Sequence, residues 1–187
     1  MTGRLLYGTD FPQGGRFEVV AGDLLSQPVD AIFNAANGHL AHGGGVAGII
    51  SRAAGPELDR ESARIVREHG PLATGAAVVT SAGQLPFKGV IHVVGPRQGE
   101  GDEDALLRRA ITSGFERAHE AGWRSVAFPA VSAGIFAVPL DVCARAYRGA
   151  VWGWYETHPE TSLALIRLCL RDAPVIEAVL AEMPVSR

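Results

Sequence analysis

One stretch constrains this chain more than any other. The apolar run Val29-Asp30-Ala31-Ile32-Phe33 feeds directly into Asn34-Ala35-Ala36-Asn37, and Gly43-Gly44-Gly45 follows six residues after Asn37. Apolar residues resume at once in Val46-Ala47-Gly48-Ile49-Ile50. The order reads as strand, polar loop, bare backbone and helix start. Glycine lets a backbone approach a ligand closely, and a helix N-terminus offers unpaired N–H groups with a partial positive charge. Such a place suits a phosphate or a diphosphate.

The rest of the chain repeats the alternation. Arg16 to Val20, Gly75 to Ser81, Gly89 to Val94, Ser125 to Phe128 and Leu163 to Leu170 read as strands. Val46 to Ala54 reads as a short helix, and Pro56 to His69 as a charged surface helix. Asp102 to Ala121 is amphipathic, with Leu107, Ile111, Phe115 and Ala118 on one face. Pro139 opens a helix striped by Leu140, Cys143, Tyr147, Val151 and Trp154, and Pro174 opens a last one through Met183. Strands alternating with helices imply an α/β sandwich with a largely buried sheet. Gln98 to Asp102 reads as a flexible surface loop. Residues 1 to 15, with Tyr7 and Phe11, either add an edge strand or cover one end of a ligand site.

A length of 187 residues fits a single domain with a substantial core. The net charge is −3, and no basic block exceeds Arg108-Arg109, which argues against tight, sequence-independent binding of nucleic acid. Cys143 and Cys169 sit in apolar patterns and read as buried structural thiols. There is no CxxC or dense ligand cluster for a metal, no signal peptide and no run long enough to span a membrane. A cytoplasmic monomer without a metal or cofactor is expected.

Residues 43 to 48 formally satisfy G-x-G-x-x-G, but a dinucleotide fold wants its glycines directly after the first strand and an acid about 20 positions on. Neither condition holds, and no Gly-Lys-Ser/Thr follows to make a P-loop. A second glycine loop, Pro129 to Phe136, also follows a short apolar strand. Two such loops can clamp a diphosphate from both sides through backbone amides, or they are two ordinary tight turns. Asp23, just past the strand ending at Val20, either accepts from an exocyclic amine or caps a turn.

Taken together, five pieces resemble the macrodomain family, whose members bind ADP-ribose. They are Val20 to Leu24, Val29 to Asn37, His42 to Val46, Ile91-His92-Val93-Val94-Gly95-Pro96 and Ser132 to Phe136. The resemblance runs from about residue 16 to 182. It implies a single domain over 1–187 folded as a three-layer α/β/α sandwich around a mixed, mostly parallel sheet of about six or seven strands. It also implies roles. Asp23 accepts from the adenine amine, with Leu24 beside it, and Asn37 contacts the distal ribose. Gly43, Gly44, Gly45 and Val46 lie along the diphosphate and the distal ribose, and Ser132, Ala133, Gly134, Ile135 and Phe136 close over the diphosphate from the other side. Phe136 also walls the distal ribose. Asn34 and His92 read as structural.

One departure matters for chemistry. Hydrolytic members of the MacroD-type subgroup carry an aspartate directly after Gly-Gly-Gly-Val, and this chain has Ala47. An aromatic that often stacks on adenine is also missing, and Leu170 or Arg171 would have to cover the base. Hydrolysis at the distal ribose needs an activated water. Asn37 can orient it but cannot take its proton. His42, abutting the glycines, is the candidate base, and the substrate's own diphosphate is another. The partner is therefore ADP-ribose or an ADP-ribosylated protein. Two readings stand: a hydrolase acting on ADP-ribosyl-protein esters or O-acetyl-ADP-ribose, or a non-catalytic ADP-ribose reader.

Overall fold

Seven strands and five α-helices are found among the described residues, and the strand order explains where a cavity forms. In a computed structural model that describes residues 3–12 and 14–184, the strands are β1 (Arg4–Asp10), β2 (Arg16–Ala21), β3 (Ala31–Ala36), β4 (Ala77–Thr80), β5 (Gly89–Val94), β6 (Ser125–Phe128) and β7 (Leu165–Leu170). The helices are α1 (Gly45–Ala54), α2 (Pro56–His69), α3 (Glu103–Glu120), α4 (Leu140–Thr157) and α5 (Ala173–Glu182). One sheet runs β1-β2-β7-β6-β3-β5-β4. The five inner strands are parallel, and β1 and β4 are antiparallel edges. This is the three-layer α/β/α sandwich the resemblance implied.

Alternation along the strands sorts the two faces. On β3, Ala31 and Phe33 join the core under α3, α4 and α5, whereas Ile32 joins the core under α1 and α2. The helix stripes expected from sequence are buried, Leu107, Ile111, Phe115 and Ala118 on α3 and Cys143, Tyr147, Val151 and Trp154 on α4, except that Leu140 at the start of α4 is half-buried. Pro56 to His69, Gly89 to Val94 and Ser125 to Phe128 keep their expected bounds and most others shift by one or two residues, but β3 runs three residues past Phe33, so Asn34 to Ala36 are strand rather than polar loop. Arg167, the one charge in an apolar strand, faces its register partner Glu18 on β2 and donates to it at 2.7 Å.

Residues 4–10 form the edge strand rather than a cover for the ligand end. Tyr7 tilts onto Phe17, while Phe11 stacks on Tyr155 at 4.3 Å and edges onto Trp152 at 5.4 Å. Both thiols are buried and unbridged. Burial pushes each of them up to about 11.

β3 and β6 set the geometry of the site. β3 stays paired with β5 over its whole length, from Ala31 to Ala36. With β6 it pairs only at Ala31 and Ile32. Beyond Ile32 the two strands part, and a crevice opens at the carboxyl edge of the sheet. Ligands of open α/β sheets bind at such a divergence point.

Candidate functional site

A cavity of about 720 Å³ fills this crevice, within the range of small-molecule sites. It runs along the carboxyl edge in sheet order. Gly22 and Asp23 follow β2, Arg171 follows β7, and Pro129 to Phe136 follow β6. Asn37 and Gly43 to Ala47 follow β3, and Arg97 follows β5. Asp23 and Arg97 therefore stand at opposite ends. Each expected contact lines it: Asp23, Leu24, Asn37, Gly43, Gly44, Gly45, Val46, Ser132, Ala133, Gly134, Ile135 and Phe136.

At the β2 end, Asp23 holds the N-cap position of the short turn Leu24–Ser26, but its carboxylate caps no backbone N–H. Its Oδ2 accepts from Ser26 Oγ at 3.0 Å, and its carbonyl accepts from Gln27 Nε2 at 2.7 Å. Its other carboxylate oxygen has no partner among the described residues. Beside it Cys169 donates to Gly22 O at 3.3 Å, a protonated thiol walling the site. Leu170, Arg171 and Val175 complete this end without an aromatic ring.

The middle of the cavity lies between two loops. α1 begins at Gly45, so the first N–H groups of its opening turn have no intrahelical acceptor. Across the crevice, the N–H groups of Gly134, Ile135 and Phe136 bond to nothing among the described residues. Gly44 is extended at φ −160°, a conformation open to any residue, and an added Cβ would meet only Ile135 Cδ1 at 3.8 Å. The fold does not require glycine there. What glycine keeps clear is the gap between the loops.

Each loop is pinned from below by a buried polar group. Ser132 sits in the left-handed region at φ 68°, and its hydroxyl donates to Pro96 O at 2.7 Å. Its side chain is therefore an anchor rather than a group presented to a ligand. On the other side, Asn34 Nδ2 bonds His42 Nδ1 at 3.2 Å and His92 Nδ1 at 3.0 Å. His42 Nε2 meets Ser62 Oγ at 2.9 Å, and His92 Nε2 meets Thr80 Oγ1 at 2.9 Å. Thr80 spends its hydroxyl proton on Ser81 O, so it must accept from His92. An amide NH₂ only donates, so both rings accept at Nδ1 and carry their proton on Nε2. Asn34 Oδ1 is buried with no partner among the described residues.

This network corrects the expectation for His42. Its ring is not part of the cavity wall but points to α2 and β3, stacked 5.1 Å from His92. Burial lowers the pKa of His42, and burial drives His92 down to about 3, with His42 adding to the shift. Both rings are neutral supports, and His42 is not placed to take a proton from a water in the cavity. Asn37 does line the cavity, but its side chain also closes its own loop. Oδ1 accepts from the N–H groups of His39 and Ala41, both at 3.1 Å, and Nδ2 donates to Ala41 O at 2.9 Å. One Nδ2 hydrogen is left to donate.

Sequence reasoning missed Arg97, which stands at the far end with its guanidinium 4.5 Å above the Phe136 ring. The signal was its place, the first charged residue after β5. The expected flexible loop beside it is stitched down, since Gln98 N–H donates to Phe136 O at 2.8 Å. Among the described residues no group of three or more His, Cys, Asp or Glu is placed to hold a metal, and no helix is long and apolar enough to cross a membrane.

Comparison with known proteins places this geometry in context. The Macro domain family model matches residues 33–147. An O-acetyl-ADP-ribose deacetylase of Escherichia fergusonii is 48% identical over 132 residues, covering 70% of this chain and 75% of the relative. An uncharacterized Thermotoga maritima protein is 47% identical over 86% of this chain, which spans only 27% of that protein's length. Among solved structures, the Oceanobacillus iheyensis macrodomain with ADP superposes at a TM-score of 0.83, with 27% identity and 94% of each chain covered. The Trypanosoma brucei macrodomain in complex with ADP-ribose superposes at 0.78, with 32% identity over 87% of this chain and 67% of that one.

Proposed function

The chain belongs to the macrodomain family, and on that premise we propose that it binds ADP-ribose and hydrolyses ADP-ribosyl esters at the distal ribose. One observation carries the binding half. Two sets of unspent backbone N–H donors, at the start of α1 and in Gly134 to Phe136, face one gap that Gly44 keeps open. A diphosphate supplies the acceptors such a gap lacks. The base then lies toward Asp23, Leu24 and Leu170. Asp23 keeps a carboxylate oxygen for an exocyclic amine. The distal ribose lies toward Asn37 and Phe136. We take residues 1–187 as one such domain.

Hydrolysis follows from positioning rather than from a protein base. His42 is turned into the α2 side, and Ala47 offers a methyl where a carboxylate would hold water. The group near the distal ribose that can take water's proton is the ligand's own diphosphate. Asn37 directs its remaining N–H to a ribose hydroxyl. The N–H donors of the two loops hold the phosphates in reach, so the protein supplies orientation and charge stabilisation. The same Ala47 favours the second reading, a reader that holds ADP-ribose without cutting it.

The test is turnover of an aspartate/glutamate-modified protein and of O-acetyl-ADP-ribose, beside a thermal shift with free ADP-ribose. Binding with turnover supports the hydrolase. Binding without turnover leaves the reader. No shift at millimolar ADP-ribose rejects both.

A further inference from the structure

The strongest feature that the reading above leaves unused is Arg97. It ends the row of cavity residues at β5, on the far side of Asn37 and Gly43 to Val46 from the base end. The other cation on the cavity wall, Arg171, follows β7 beside the base end. The exposed Arg97 side chain places its guanidinium carbon over the Phe136 ring, 4.5 Å from the centroid. It makes no ion pair or side-chain hydrogen bond among the described residues.

Nearby acids do not claim it. The bonds from Thr74 and from the Arg97 backbone N–H lower the pKa of Glu100, with the Arg97 charge adding to them, but its carboxylate makes no hydrogen bond or ion pair with the guanidinium. Oε1 accepts from Thr74 Oγ1 at 2.5 Å, and Oε2 accepts from the Arg97 backbone N–H at 3.0 Å. Glu103 Oε1 takes the N–H of Gly99 at 2.7 Å. These bonds fix the backbone that carries Arg97, and the Gln98 N–H to Phe136 O bond fixes that backbone to the opposite loop. The result is a stacked planar fork with five donors, held at the distal end and turned to no protein acceptor. A planar fork matches a carboxylate, and stacking lowers the entropy lost on engaging one.

We propose that Arg97 is a catalytic residue of the ester hydrolysis, receiving the carboxylate released from the distal ribose. The inference rests on the hydrolase reading above. In the step, water's oxygen bonds to the distal anomeric carbon, and the bond from that carbon to the acyl oxygen breaks. The bonding pair stays on the acyl oxygen, and water's proton passes to the ligand's phosphate. Negative charge grows on the two oxygens of the departing acid, where Arg97 donates two parallel hydrogen bonds. A neutral alcohol leaving group would need a proton that Arg97 cannot give.

Arg97→Gln and Arg97→Lys are compared with wild type in three measurements: ADP-ribose affinity by calorimetry, kcat and KM on a glutamate-modified protein, and turnover of a serine-modified one. Arg97→Gln is expected to lower kcat on the ester about tenfold or more, with ADP-ribose affinity within about threefold of wild type. Arg97→Lys keeps the charge without the fork and falls between. Arg97→Ala recovers part of the lost rate in millimolar guanidinium chloride, which a merely structural role would not allow. Wild type is expected to turn over the ester faster than the serine linkage. Unchanged kcat in Arg97→Gln, or loss of ADP-ribose affinity in step with kcat, overturns the inference while leaving the hydrolase reading standing. Wild type that binds ADP-ribose without turning over the ester overturns both.

Discussion

Lowering the pH should destabilise this protein through His92 by a calculable amount. The ring is wholly buried on β5, accepts from Asn34 at Nδ1 and donates to Thr80 at Nε2. A second proton would remove the acceptor and set two N–H groups against each other in a wholly buried site beside the His42 ring. Burial therefore brings its pKa from 6.5 to about 3. The folded state resists protonation and the unfolded chain does not. Stability is complete above pH 6.5 and lost as pH falls from there toward 3. At about 1.36 kcal/mol per pH unit, the loss between pH 7.5 and pH 5 is about 2 kcal/mol from this residue. His42, shifted the same way, adds to it. The assay is urea unfolding of wild type and His92→Gln at both pH values. Exposed carboxylates and histidines titrate alike in the two proteins and cancel in the difference. Wild type should lose about 2 kcal/mol more than the variant over that interval. Equal losses would refute the reasoning. So would an NMR titration showing the His92 ring protonated above pH 5.

Three further outcomes follow from particular contacts. Asp23→Ala should weaken ADP-ribose by about 1–3 kcal/mol in calorimetry and leave ribose 5-phosphate unchanged, since only the former brings an amine to the carboxylate. Gly95→Ala places a methyl against Ser132 Oγ and within 2.8 Å of Val131 Cγ1, so it should cost about 1–3 kcal/mol in chemical denaturation and also weaken ADP-ribose by displacing the Ser132 anchor. Phe11→Ala removes the ring stacked on Tyr155, far from the cavity, and should lower the melting temperature while ligand affinity holds within twofold.

The parallel strands were legible because a strand buried on both faces reads as a continuous apolar run, as in Gly89 to Val94 and Ser125 to Phe128. β1 was legible only as one of two alternatives, because an edge strand such as Arg4–Asp10 mixes exposed and half-buried residues and shows no clean alternation. The loops facing the cavity were legible for a different reason. Their proposed role lies in backbone donors, and glycine in the sequence reports backbone directly. Side-chain direction is not written locally. His42 abuts the glycines in sequence, yet its partner is Ser62, 20 residues on. Arg97 is 60 residues from Asn37, yet both stand at one end of the site.

The same contrast explains how the site is built. β3 leaves β6 after Ile32 but keeps β5 through Ala36, so the crevice opens on one side of β3 and its other side stays closed. The closed side must then hold the Gly43 to Gly45 loop, and Asn34 and His92, register partners on β3 and β5, do so through His42. The open side has no strand pairing to hold the facing loop. There Ser132, in a left-handed backbone conformation, fastens it to Pro96 just past the end of β5. Two independent anchors thus fix the two halves of the proposed diphosphate site. His92 protonation should loosen the first without touching the second, and Gly95→Ala should do the reverse. If both perturbations weakened ADP-ribose and their combination did no more than either alone, the loops would be one cooperative unit and the separate anchoring argued here would be wrong.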